Sequence, residues 1–206
     1  MSPAQQLADG IRALGLPVAA PVQEQLLAFL GLVVKWNRVH NLTAIRDLPA
    51  MVSAHLLDSL SVAPHISQKT MLDVGSGGGF PGIPLALIWP GCRVTLLDSN
   101  QKKAAFLQQA KIELNLSNLT VVCARAESWQ ADQRFDVVIS RAFADLPEFV
   151  RIAGHLCGPG GTLVAMKGVL ADEEMVRLPA GSGVRKIVPL QVPGLHAERH
   201  LVLINP

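Results

Sequence analysis

Several things are missing from this 206-residue sequence. No apolar run is long enough to cross a bilayer. The longest, residues 26–34, falls far short of the roughly 20 residues a membrane helix needs. Residues 1–10 are polar and carry Asp9. They lack the basic start and apolar stretch of a secretory signal, so a cytoplasmic protein without a membrane partner is expected. Cysteine is scarce. Cys92, Cys123 and Cys157 are odd in number and unpaired in spacing, which argues against a disulfide framework and a zinc site; no metal is expected. An excess of either charge is missing too, the formal net charge being +2. An anionic partner would therefore need positive charge gathered on one face. There is no internal repeat, low-complexity tract or flexible linker.

What is present suits one α/β domain with a modest extension. Half the residues are apolar, enough for a real core. Apolar positions Val22, Leu26, Phe29, Leu30 and Val33 recur at helical spacing and predict an amphipathic helix over 22–39. A second helix is expected from Asp47, a good N-cap, with Pro49 in its first turn and Pro64 ending it. From residue 70 strand and helix alternate. Strands are expected over 70–75, 93–98, 119–123, 136–140 and 161–166. Helices are expected over 81–89, 102–114 and 146–155. The strands read as continuous runs with both faces buried, the pattern of a parallel sheet under helices. After a short helix over 172–178 come two runs, 186–192 and 200–204. Only residues 193–199 separate them, too few for a helical crossover, so this pair is antiparallel.

The chain Asp73-Val74-Gly75-Ser76-Gly77-Gly78-Gly79 closes the first of these strands. Glycine there permits positive φ and close approach of a ligand to backbone. In a doubly wound sheet this turn lies at the switch point where ligands bind. Gly77, Gly79 and Gly82 match G-x-G-x-x-G, so a dinucleotide is one candidate. With the acid two residues before the first glycine, acid-x-Gly-x-Gly-x-Gly resembles the first motif of the class I methyltransferases, which implies S-adenosylmethionine instead. That molecule has no pyrophosphate, and its ammonium needs an acceptor. A purely structural turn is the plain alternative. Asp98 ends the next strand, where a carboxylate can accept both ribose hydroxyls or simply cap a helix. Ala126 and Glu127 follow the third strand, where an adenine would lie. The layout with a terminal hairpin resembles that of class I methyltransferases, which favours the methyl donor over the dinucleotide.

Further strings resemble one family. They are Trp36-Asn37-Arg38-Val39-His40-Asn41-Leu42-Thr43, His55-Leu56-Leu57-Asp58-Ser59-Leu60, residues 75–84, and Leu97-Asp98-Ser99-Asn100 with Lys102-Lys103. To these add Ser140-Arg141-Ala142-Phe143, Gly158-Pro159-Gly160-Gly161 with Met166-Lys167, and Glu198-Arg199-His200. Together they look like the RsmG (GidB) family, bacterial methyltransferases of guanine N7 in 16S ribosomal RNA. The resemblance covers nearly the whole chain, residues 171–184 being its weakest stretch. It implies a class I S-adenosylmethionine-dependent methyltransferase fold. That fold is Rossmann-like, a mostly parallel seven-stranded sheet with a terminal antiparallel hairpin. An N-terminal helical extension over 1–68 would precede the core over 69–206. The resemblance also implies cofactor contacts at Gly75, Phe80, Ala126, Glu127 and Arg141, with Gly77 in the same loop. The implied partner is 16S ribosomal RNA in the 30S subunit or its precursor, and a monomer is expected.

Guanine N7 has an exposed lone pair and no proton, so its methylation needs alignment rather than a general base. Missing motifs agree. The fourth strand is followed by Ser140-Arg141-Ala142-Phe143, not by the Asn/Asp-Pro-Pro-aromatic string expected for amine methylation. No cysteine occupies a nucleophile motif, and Cys123 and Cys157 read as small buried hydrophobes. Arg141 is the candidate nearest the reacting centre, holding a carboxylate or an RNA phosphate, with a salt bridge as the plain alternative. Phe143 is expected either to stack on the base or to lie in the core. His55 and Asp58 lie one turn apart and read as packing or capping, there being no third metal ligand. Candidate RNA contacts are Lys35, Arg38, Lys102, Lys103, Lys167, Arg199 and His200, expected to converge around the glycine loop.

Overall fold

In a computed structural model the protein is described over residues 1–66, 69–141, 143 and 145–206, the Asp172 side chain excepted. Ala142, part of the string after the fourth strand, lies outside the described residues. Helices α1 (Pro3–Ala13) and α2 (Ala20–His40) open the chain. Then comes one continuous helical rod, α3 (Leu48–Met51), a π-helical segment (Val52–Leu57) and α4 (Asp58–Leu60). Asp47 caps it, its carboxylate accepting from the Ala50 N–H at 2.9 Å. The π-helical segment carries no signal in the periodicity. Pro64 belongs to a short 3₁₀ turn beyond the rod.

The core alternates β1 (Thr70–Val74), α5 (Gly82–Ile88), β2 (Arg93–Asp98), α6 (Gln101–Glu113), β3 (Leu119–Cys123) and β4 (Phe135–Ser140). It continues through α7 (Leu146–Ala153), β5 (Cys157–Lys167), α8 (Asp172–Val176), β6 (Gly183–Pro189) and β7 (His200–Asn205). The sheet order is β3-β2-β1-β4-β5-β7-β6. Neighbours from β3 to β5 are parallel, while β7 runs antiparallel to both β5 and β6. The expected five parallel strands and terminal antiparallel hairpin are thus what the sheet shows. Its order reverses between β1 and β4, which makes their carboxyl ends the switch point.

The reversal also explains the extension. Right-handed crossovers place α5 and α6 on one sheet face and α7 on the other. The face over β4, β5 and β7 on the α5 side is therefore left bare. The extension fills it. Leu7, Leu26, Leu56, Leu57 and Leu60 share one buried apolar cluster with Val137, Ile139, Val164, Met166 and Leu201. On the other face Leu72, Val138, Leu163 and Val202 pack with Phe149 and Val150 of α7. One strand departs from the expected double burial: in β3, at one sheet edge, Thr120 is exposed, and β6 at the other edge exposes Lys186 and Ile187. Cys123, expected buried, is exposed for the same reason. Among the described residues no helix is long and apolar enough to cross a membrane.

Candidate active site

The glycine loop leaves β1 at the switch point. The Gly75 N–H donates to the Leu97 carbonyl at 2.8 Å, and φ of +71° at Gly75 turns the chain back sharply. Beyond it the Gly77 N–H donates to Asp98 Oδ2 at 2.8 Å. Asp98 Oδ1 accepts from the Asn100 N–H at 2.8 Å. Asn100, not Asp98, caps α6, accepting from the Lys102 and Lys103 N–H groups. Asp98 is thereby spared the capping role and held rigid at the strand end.

Beside this turn lies a cleft of about 290 Å³. Gly75, Asp98, Lys103, Ala126, Glu127 and Phe143 are among its walls. Four sequence-predicted residues, Gly75, Asp98, Ala126 and Glu127, meet here from three different strand ends. Glu127 is exposed and Ala126 is buried, as an entrance and a floor would be. Phe143 stands against Phe149 with ring centroids 5.3 Å apart, so it walls this cleft and belongs partly to the core. The Phe80 side chain does not reach the cleft. It is buried between Phe29 and His55, with the Arg141 guanidinium 5.3 Å from its ring. Only its backbone remains to serve a ligand.

The residues fit S-adenosylmethionine. Asp73 is fully buried, and its Oδ2 accepts from the Gly82 N–H at 2.9 Å. Its Oδ1 has no hydrogen-bond partner. Burial pushes the carboxyl up to about 7, against the opposing pull of the Gly82 N–H and of Arg141. A buried acceptor left short of a donor is what an ammonium would complete. Asp98 has the place and charge to hold a ribose diol.

A second cavity, of about 310 Å³, opens along the same carboxyl edge, over β4 and β5. Ala54, His55, Asp58, Arg141, Lys167 and Arg199 line it. Ser140 ties the end of β4 to β1, its hydroxyl donating to the Val74 carbonyl at 2.7 Å, and so fixes where Arg141 starts. Arg141 Nη1 lies 3.2 Å from Asp58 Oδ2 and donates to the Ala54 carbonyl at 3.1 Å. Arg199 Nε lies 3.1 Å from Asp58 Oδ1. Burial, then the charge of Arg141, pushes His55 down to about 4, so the ring is neutral near pH 7. A neutral ring with its proton on Nδ1 donates to the Ala54 carbonyl and accepts from the Thr43 hydroxyl at 2.7 Å.

Residues 22–202 match the profile of the family described as rRNA small subunit methyltransferase G. The chain is 54% identical to "Ribosomal RNA small subunit methyltransferase G" of Nitrosospira multiformis, over all of this chain and 98% of that protein. It is 51% identical to the protein of that name from Laribacter hongkongensis, over 98% of this chain and 97% of that one. The chain belongs to the small-subunit ribosomal RNA methyltransferase G family. A solved SAM-dependent methyltransferase from Aquifex aeolicus shares the fold, with a TM-score of 0.60 at 18% identity, over 84% of this chain and 98% of that one. The fold is class I and Rossmann-like.

For a member of the methyltransferase G family, the distribution of cations matters. The seven expected RNA contacts do not all line one cavity. Lys35, Arg38 and Lys102 are exposed on α2 and α6 and line neither cavity. Lys103 walls the cofactor cleft. Arg199 joins Arg141 in the second cavity. Lys167 lines it too, but is only 8% exposed and ion-paired with Glu174 at 3.0 Å, so its charge is already spent within the protein. His200 is half-buried, with Nδ1 2.7 Å from the Gly168 carbonyl. The residue that sequence reading undervalued is Asp58. It looked like packing or capping, yet it is 1% exposed and ion-paired to two arginines. Its partners lie 83 and 141 residues away in the chain, so no local spacing could reveal them.

Proposed function

We propose that the chain transfers the methyl group of S-adenosylmethionine to N7 of a guanine in small-subunit ribosomal RNA. It would act as a cytoplasmic monomer on the 30S subunit or its precursor. The observation that carries this reading is the pairing, on one sheet edge, of a cleft holding Asp98 and Glu127 with a cationic cavity, Phe143 lining the first and Arg141 the second. The core, residues 69–206, would supply the cleft, and the extension, residues 1–68, one wall of the cavity.

S-adenosylmethionine supplies an electrophilic methyl carbon on a sulfonium. In the cleft, Asp98 would hold the ribose, Ala126 and Glu127 the adenine edge, and the backbone of Gly75, Gly77 and Phe80 the methionine end. The Asp73 carboxylate provides the negative environment for the ammonium. In the cavity, Arg141 and Arg199 would receive RNA. Lys103, Lys35, Arg38 and Lys102 would add phosphate contacts from the flanking helices. Guanine N7 attacks with its own lone pair, so the protein's work is alignment. The cavity agrees with that chemistry. Its histidine is neutral and hydrogen-bonded on both ring nitrogens, and its carboxylate is committed to two guanidiniums. None of these groups is set up to remove a proton.

The test is methyl-labelled S-adenosylmethionine offered with small subunits lacking the modification, with naked ribosomal RNA and with RNA-free extract. Label recovered as 7-methylguanosine from small-subunit RNA is the expected result. Label on another base would keep cofactor and fold but remove the N7 assignment. Label confined to protein or small molecules would replace RNA as the substrate.

A further inference from the structure

Three separate parts of the chain meet at Asp58. The carboxylate comes from α4 of the extension, Arg141 from the end of β4, and Arg199 from the turn before β7. Burying a lone carboxylate is costly, so one that is 1% exposed must be matched by charge. Here it is matched twice, one oxygen to each guanidinium. Each arginine is also tied to backbone, Arg141 to the Ala54 carbonyl and Arg199 Nη1 to the Glu198 carbonyl at 3.1 Å. Both side chains remain partly open to the cavity, at 27% and 29% exposure. A guanidinium has five N–H groups, so these contacts leave donors over. The charges also leave a remainder. Arg141, Arg199 and Lys167 stand against Asp58 and Glu174, a residual of one positive charge beside a neutral His55. A π-helical segment, a feature often found at functional sites, leads directly into Asp58.

Two guanidiniums repel each other and, without a shared counter-ion, would swing apart into solvent. We infer that Asp58 is a positioning residue. It holds Arg141 and Arg199 side by side so that they grip one phosphodiester of the RNA beside the target guanine. This rests on the methyltransferase reading above. The carboxylate lowers the attraction for RNA by one charge and gains in return a fixed fork that sets the reach of the base toward the cofactor cleft. Removing it therefore has opposite effects on binding and on turnover, which a mere structural staple does not.

The experiment uses the full chain with Asp58→Asn, Asp58→Glu and Arg199→Lys, and the Asp58→Asn, Arg199→Lys double variant. Small subunits lacking the modification are the substrate, and single-turnover methyl transfer, subunit affinity across salt, and S-adenosylmethionine affinity are measured. Asp58→Asn is expected to lower the transfer rate about 100-fold, the scale on which a misplaced group costs a reaction. Subunit binding should be as tight or tighter, and cofactor affinity should hold within about twofold. Asp58→Glu should recover part of the rate. In the Arg199→Lys background Asp58→Asn should cost much less, because the two act together. A rate for Asp58→Asn within about threefold of the parent overturns the proposal. So does an effect of the same size in both backgrounds, or a joint loss of fold and cofactor binding in both Asp58 variants. If the parent enzyme itself labels no RNA, the methyltransferase reading fails first, and this result is separate from any of the variants.

Discussion

Asp73 and Gly82 touch where β1 turns into α5. The Gly82 N–H donates to Asp73 Oδ2, and a Cβ placed on Gly82 would come 2.7 Å from that oxygen and 2.2 Å from Leu96 Cδ2. The helix can approach the strand-end acid only because residue 82 has no side chain. Gly82→Ala is therefore expected to destabilise the fold by about 1–3 kcal/mol, the usual cost of overpacking. It should weaken S-adenosylmethionine binding as Asp73 is pushed aside. Thermal unfolding and calorimetric titration check both. An unchanged melting point would mean that the α5 start moves freely.

The raised pKa of Asp73 predicts how cofactor binding responds to pH. The folded carboxyl titrates near 7 against an ordinary value of 3.8. Without ligand, its contribution to stability is full below its ordinary value and is lost as pH rises through 7. A neighbouring ammonium favours the ionised form, so affinity should climb by up to about tenfold per pH unit between about pH 5 and pH 7, then level off. Asp73→Asn should flatten the slope and bind more weakly at about pH 8. Titrations across that range decide it, and a flat profile for the parent chain would separate Asp73 from the ammonium.

Asp98 makes two backbone hydrogen bonds that hold it at the cleft wall. Asp98→Ala should lose the ribose contacts and free the glycine loop at Gly77. Charge-assisted hydrogen bonds of about 1.5–3 kcal/mol each imply a loss of more than about 100-fold in cofactor affinity. Binding of S-adenosylhomocysteine should fall equally, because the ribose is common to both. Native-like affinity would remove Asp98 from the ribose.

Two lysines separate stability from RNA affinity. Lys167→Ala removes the cation paired with the half-buried Glu174, which keeps, among the described residues, only the Leu146 N–H, and should destabilise by about 1–3 kcal/mol. Lys102→Ala alters an exposed side chain, and should leave the melting point unchanged while lowering the salt slope of subunit binding by about 1. The reverse pattern would place the RNA surface at Lys167.

Much of this was legible in the sequence. The bounds of β2 and β3 are legible because their apolar runs end in Asp98 and in a turn. The helix over 22–39 followed from its stripe. The glycine loop announced a ligand because glycines and a strand-end acid act over a few residues. Edge position was not legible. Cys123 reads like any buried strand residue until the sheet order leaves β3 with one neighbour. Nor was the inward turn of Phe80, whose place in a glycine loop suggests a ligand but whose ring packs on Phe29.

The sequence by itself determined the alternation of strands and helices, the antiparallel end, the cofactor turn and the family. All of these depend on periodicity, short-range turn chemistry or strings read in order. Only the tertiary structure decided that the extension covers a sheet face left bare by the crossovers. Only it decided that Lys167 is neutralised and that Arg141 and Arg199 share Asp58. Those facts depend on charge and surface meeting across long stretches of chain, and burial makes such meetings obligatory without leaving a local pattern to read.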